Sequence, residues 1–153
     1  MKKSEVVTLK KSEVIDLNNG IAHISNLNKD TGFPVYDLGY EVHTCLARTF
    51  KKLAPAMEQL IEEQREEADA HKEIKKRQDE ATAGLSGPAK EAKEEEFKPE
   101  FEAWRQKQKA RLAEPIELAV YKFRWADVKY KGITPPPDVI GCMEPIIIWP
   151  EEK

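Results

Sequence analysis

Residues 46–60, LARTFKKLAPAMEQL, decide the fold of this chain. Leu46, Phe50, Leu53, Met57 and Leu60 fall at alternating steps of four and three. That spacing lines apolar side chains along one seam of a helix packed against another helix. The register carries on through Gln64, Glu67, His71, Ile74, Gln78 and Ala81, where it becomes mostly polar. Pro55 removes the hydrogen bond to the Lys51 carbonyl and predicts a bend. The turn chemistry of Gly84–Leu85–Ser86–Gly87–Pro88 then ends the helix.

A return arm follows. Residues 89–96 are strong helix formers, and Phe97, Phe101, Trp104 and Leu112 mark the arm's buried stripe before Pro115 stops it. Pro99 is expected to kink this arm or to open a fresh helix. If the turn centres near Ser86, Arg105, Lys107, Lys109 and Arg111 lie opposite Glu58, Glu62, Glu63, Glu66 and Glu67. The acidic stretch 91–102 then faces Lys72, Lys75, Lys76 and Arg77, with Trp104 near Ala68 and Leu112 near Leu60. Each exposed ion pair contributes only about 0–1 kcal/mol, so the pattern sets register and orientation rather than stability. Residues 36–114 are therefore expected to form a long antiparallel helical hairpin, built like a two-stranded coiled coil.

The flanks are shorter-ranged. Residues 5–8 are β-prone, and Thr8 or Ser12 caps a helix carrying Val14, Leu17, Ile21 and Ile24 on one stripe. Asn19–Gly20 weakens that helix, since glycine costs about 1 kcal/mol against alanine there. Residues 26–34 read as a loop. Beyond Pro115 the period becomes two: Ile116, Leu118 and Val120 alternate with Glu117, Ala119 and Tyr121, as in a strand with one buried face. Residues 129–137 form a proline-rich loop, 138–143 suit one helical turn, and Ile146–Trp149 reads as a second strand. The expected fold is α+β, mainly α, in a single domain over 1–153. It combines an N-terminal helix, the hairpin arm at 36–114, and a β/loop element at 115–153 in a small sheet formed by terminal strands.

Hydrophobic residues make up 40% and charged residues 35% of the chain, a mix that suits an elongated, surface-rich molecule. The net charge of −3 gives no pull toward nucleic acid or anionic lipid. No apolar run approaches the roughly 20 residues of a membrane span. Cys45 and Cys142 lie far apart and the first residues do not resemble a secretory leader, so reduced thiols in a cytoplasm are expected.

Candidate chemistry is sparse. His43-x-Cys45, completed by Cys142 or His71, is one loose ligand pair where zinc sites show two tight ones. Free cysteine is otherwise a small buried hydrophobe. Glu62, Glu63, Glu66 and Glu67 lack the Glu-x-x-His partner of helical di-metal sites and read as a solvated helix face. The basic set from Arg105 to Arg111 has acidic partners in the hairpin and no basic domain around it, which argues against nucleic acid. Phe123, Trp125, Tyr130 and Trp149 suit either the core of the small sheet or the anchors of an interface. His23, His43 and His71 all fall on expected helices, and neither a phosphate loop nor a nucleophile elbow occurs. The chain is read as no enzyme, with no catalytic residue, cofactor or metal.

The order of parts resembles a family of small uncharacterised phage and prophage proteins. The resemblance is carried by VVTLKKSEVIDLNNGIAHISNL (6–27), GFPVYDLGYEVHTCLARTFKKLAPAMEQL (32–60), FKPEFEAW (97–104), PIELAVYKFRWADV (115–128) and IGCMEPII (140–147). It spans most of the chain except 66–96, and brings no catalytic motif. It implies a phage or prophage origin and action in the bacterial host cytoplasm or, alternatively, the virion. The leading expectation is a non-enzymatic, self-associating accessory protein that binds an unknown protein, a host or defence factor. A virion assembly role and nucleic-acid binding are the alternatives. The candidate interface is Gln64, His71, Ile74 and Gln78 on the polar part of the hairpin, with Trp125, Tyr130 and Trp149 in the C-terminal element.

Overall fold

The computed structural model describes residues 3–27, 29–32, 35–129, 131–132 and 134–150. In chain order the elements are β1 (Glu5–Lys10), α1 (Lys11–Ile24), β2 (Tyr36–Asp37), α2 (Tyr40–Thr82), α3 (Gly87–Leu112) and β3 (Pro115–Val120). They continue with β4 (Phe123–Arg124), a 3-10 turn (Trp125–Asp127), β5 (Lys131–Gly132), α4 (Pro137–Cys142), a second 3-10 turn (Glu144–Ile146) and β6 (Ile147–Ile148). The chain forms two compact units. One holds the chain up to Met57 together with the chain from Pro115, and the other is Glu58–Glu114.

In the first unit β1 runs directly into α1. The Lys10 N–H donates to the Glu13 carboxylate at 2.9 Å, so the helix is closed at Lys10 rather than at Thr8 or Ser12. An acidic side chain in the first turn satisfies one end group and complements the helix dipole. Val14, Leu17, Ile21 and Ile24 are all buried, as their spacing requires. Gly20 is buried too, and its role differs from the weak spot expected of it. A Cβ there would sit 3.0 Å from Met143 Cγ and 3.1 Å from Cys142 Cβ, so glycine is what lets α1 approach the segment from α4.

Strand pairing departs from a single small sheet. Among the described residues there are three two-stranded ladders. β1 pairs antiparallel with β3, Glu5 opposite Val120 and Lys10 opposite Pro115. β2 pairs antiparallel with β5, and β4 pairs parallel with β6, Phe123 opposite Ile147. The expected strand at Ile146–Trp149 is thus reduced to two residues, and Ile146 belongs to a 3-10 turn. Just past β3, the Thr49 hydroxyl accepts from the Tyr121 N–H at 2.9 Å and donates to the Tyr121 carbonyl at 3.3 Å, satisfying both main-chain groups.

The helix expected from Tyr36 begins at Tyr40, because Tyr36 and Asp37 are spent on β2. Within the first unit α2 buries Val42, Leu46, Thr49 and Leu53, while Phe50 is 41% exposed. Phe50 therefore does not belong to the buried seam, and fully buried Thr49 takes the place beside Leu46 and Leu53. Each buried leucine contributes about 1.5–3 kcal/mol.

In the second unit the end of α2 and the whole of α3 lie side by side, joined by a turn with Gly84 at φ 77° and Gly87 at φ 59°. These left-handed values favour glycine. The Leu85 N–H closes the turn on the Thr82 carbonyl at 3.0 Å. α3 starts at Gly87 with Pro88 in its first turn, where the missing N–H costs nothing. Pro99 neither breaks it nor begins a new helix: α3 is continuous through that residue to Leu112.

Candidate functional site

In the second unit, residues of α2 and α3 meet at a few side-chain contacts. On α2 the residues turned away from solvent are Leu60, Glu63, Glu67, His71, Ile74, Gln78 and Thr82. Their steps of three, four and four stay on one face of a straight helix, close to 3.67 residues per turn. Of the heptad positions Gln64 and Ala81 are exposed, and Glu63 and Thr82 take their places on this face.

Three cross-helix contacts define the pairing. Near the turn Arg77 grips Glu100 with two bonds of 2.5 and 3.0 Å. In the middle, the His71 ring lies 4.8 Å from the Trp104 ring and 5.4 Å from that of Phe101. The Trp104 indole N–H donates to the Glu67 main-chain carbonyl at 2.8 Å. Farthest from the turn, Arg111 reaches Glu63 at 2.9 Å and holds both oxygens of Glu67. The Glu67 hydrogen bond, followed by that to Glu63, raises the Arg111 pKa despite partial burial.

The broad charge ladder expected between the helices is thereby narrowed. Arg105 pairs within α3 with Glu102 at 3.5 Å, and Glu62 pairs within α2 with Arg65 at 3.2 Å. Helix neighbours three and four apart reach each other more easily than partners across a groove. Of the basic set, Arg111 is committed to the hairpin, and Lys107 and Lys109 stay exposed.

His71, Ile74 and Gln78 are half-buried, His71 against Phe101 and Trp104 of α3, and Gln64 is exposed. Trp125 and Trp149 are in the other unit, stacked at 5.1 Å with their planes 36° apart. Their meeting follows from local register: each continues directly from one strand of the parallel β4–β6 pair. Tyr130 lies outside the described residues.

The candidate metal and acid–base residues are engaged elsewhere. His43 Nε2 accepts the Leu38 N–H at 3.1 Å and lies 3.9 Å from Asp37, whose carboxylate takes the Gly39 N–H. His23 Nε2 lies 3.2 Å from the Tyr36 hydroxyl. Cys45 is buried, its thiol 3.8 Å from the Lys122 carbonyl. Among the described residues no group of three His, Cys, Asp or Glu is placed to hold a metal ion. Cys142 borders a cleft of about 380 Å³ with Glu13, Asp16 and Glu144. Burial, then Asp16 and Asp138, push its thiol pKa up, so it is held protonated rather than activated.

Sequence reasoning missed Thr49 and the Trp104–Glu67 bond. Thr49 lies three residues after Leu46 and four before Leu53, a spacing that would have placed it in the buried row. The bond to a helix carbonyl leaves no such trace. Among the described residues no helix is long and apolar enough to cross a membrane. No family model, curated protein or solved structure matches this chain.

Proposed function

We propose that this is a non-enzymatic phage or prophage accessory protein that self-associates and binds another protein, a host or defence factor, through residues 58–114. These residues act as an antiparallel, coiled-coil-like hairpin. The observation that carries the reading is the hairpin's shortage of core. Of its described residues Leu60 alone is a buried hydrophobe, and α3 buries none of its residues. Ile74, Phe97, Phe101 and Trp104 remain partly open to solvent. Two helices with so little covered apolar surface are marginal by themselves, and a protein partner that covers them supplies what they lack. The phage assignment is supported by the resemblance in 6–27, 32–60, 97–104, 115–128 and 140–147, and the site of action is the bacterial host cytoplasm.

The test is affinity capture from a bacterial host with the full chain and with an Ile74→Asp, Phe101→Asp variant, proteins being identified by mass spectrometry. A partner retained by the parent chain and lost by the variant, with first-unit hydrogen exchange unchanged, supports the reading. Capture of the same partner by both chains overturns the role of the hairpin.

A further inference from the structure

The start of α2 is held by a hydrogen bond that a single proton removes. His43 lies in the first turn of this helix, its own N–H bonded to the Gly39 carbonyl at 3.1 Å. Its ring reaches back past that turn, where Nε2 accepts the Leu38 N–H at 3.1 Å. An amide N–H only donates, so Nε2 carries no proton and the ring is the neutral tautomer protonated at Nδ1. A charged ring has a donor on both nitrogens, and the Leu38 N–H would then face another N–H. Leu38 is buried, so its amide has no ready substitute for the lost acceptor. The other two histidines are placed differently. His23 Nε2 lies 3.2 Å from the Tyr36 hydroxyl, which can donate to a neutral ring and accept from a charged one, so that contact survives either state. His71 packs against the rings of Phe101 and Trp104.

We infer that His43 is a pH-operated catch on residues 36–39, closed while its ring is neutral and released when the ring is protonated. A second partner stands within reach of the charged ring. Asp37 Oδ1 lies 3.9 Å from Nε2 and accepts the Gly39 N–H at 3.1 Å. Protonation therefore exchanges Leu38 for Asp37, and the ring competes with Gly39 for the same carboxylate oxygen. The segment held by the catch has few other bonds. β2 is two residues long and pairs with Lys131 and Gly132, and the Leu38 carbonyl takes the Lys129 N–H at 3.1 Å. Segments so lightly tied open locally well before the whole fold does. The remaining charged residues at this joint are Lys129 beside Gly39, Lys131 as the register partner of Asp37, and exposed Glu41 in the first turn of α2. Histidine side chains change charge between about pH 5 and 8, and the catch works over that range. It lies within the first unit and stands apart from the role proposed for residues 58–114.

The test follows amide and imidazole resonances of the full chain by nuclear magnetic resonance from pH 8 to pH 5. The Leu38 amide should shift with the same midpoint as the His43 ring. Its hydrogen exchange, corrected for the intrinsic effect of pH, should lose about tenfold in protection across that range. His43→Gln supplies a side-chain carbonyl that can accept at a similar reach and does not titrate, so Leu38 protection in that chain should be equal at both ends. His23→Gln should leave the transition of the parent in place. A Leu38 amide equally protected at pH 8 and pH 5 in the parent overturns the inference, and this comparison decides even if the glutamine variant does not fold. A loss of protection that persists in His43→Gln, or that disappears in His23→Gln, assigns the change to another group and overturns it as well.

Discussion

The Trp104 indole N–H donates to the Glu67 main-chain carbonyl at 2.8 Å, fastening α3 to the backbone of α2. The same ring packs against His71, one turn farther along α2, with centroids 4.8 Å apart and planes tilted by 56°. One residue thus supplies both a directional bond and apolar cover in a hairpin short of each. Trp104→Phe keeps most of the cover and removes the bond, so it should cost about 1 kcal/mol. Trp104→Ala should cost about 2–3 kcal/mol, below the range of a fully buried tryptophan because the ring is half open. The readout is hydrogen exchange of amides in 58–114, which isolates the hairpin from the other unit. Equal protection in all three chains would contradict the role given to this residue.

Thr49 should behave as a structural hydrogen-bonding residue. Thr49→Val preserves shape but leaves the Tyr121 N–H and carbonyl without their partner, and should cost about 2 kcal/mol. Thr49→Ser keeps the hydroxyl and should lose less. Urea unfolding of the full chain, followed by tryptophan fluorescence, orders the three proteins; a valine variant as stable as the parent would refute the account.

Gly20 sets helix propensity against packing. Alanine is favoured by about 1 kcal/mol within a helix. Here its methyl would press on Met143 and Cys142 at 3.0–3.1 Å, and overpacking costs about 1–3 kcal/mol. Because Met143 is fully buried and Cys142 partly so, the steric cost should win and Gly20→Ala should lower the thermal midpoint. A raised midpoint would mean that α1 and α4 yield freely.

The Arg77–Glu100 pair gives the hairpin a pH dependence of known sign. The hydrogen bond from Arg77 holds the Glu100 carboxyl below the ordinary range; desolvation opposes it, and the Arg77 charge adds to the lowering. Stability from this group is therefore present above the unfolded-state pKa and lost as pH falls through the depressed folded one. The pair is solvent-exposed, so the effect is small. A carboxyl titration by nuclear magnetic resonance should place the Glu100 midpoint below that of a free glutamate, and Arg77→Gln should return it. A midpoint unmoved by that substitution would contradict the assignment.

Much of the fold was legible because burial enforces periodicity. Val14, Leu17, Ile21 and Ile24 had one face to occupy, and Ile116 to Tyr121 alternated because β3 has one covered side. Some contacts between α2 and α3 were legible from charge: Arg77–Glu100 and Arg111–Glu63 are pairs of the expected kind. What stayed hidden depends on main-chain geometry. The β2–β5 and β4–β6 ladders are two residues each, too short to leave a period. Whether the step after Leu60 is three residues, to Glu63, or four, to Gln64, leaves no mark in a stretch where both candidates are polar. Of the candidate interface, Trp125 and Trp149 do come together, but their stacking follows from a parallel pairing that no composition announces.

The central claim is the proposal that residues 58–114 serve protein partners, a second copy of the chain among them. The most direct measurement is the molar mass of the purified full chain by light scattering as concentration is raised through the micromolar range. The account predicts a rise from the 17.5 kDa of one chain toward twice that value. A mass that stays at 17.5 kDa throughout would contradict it.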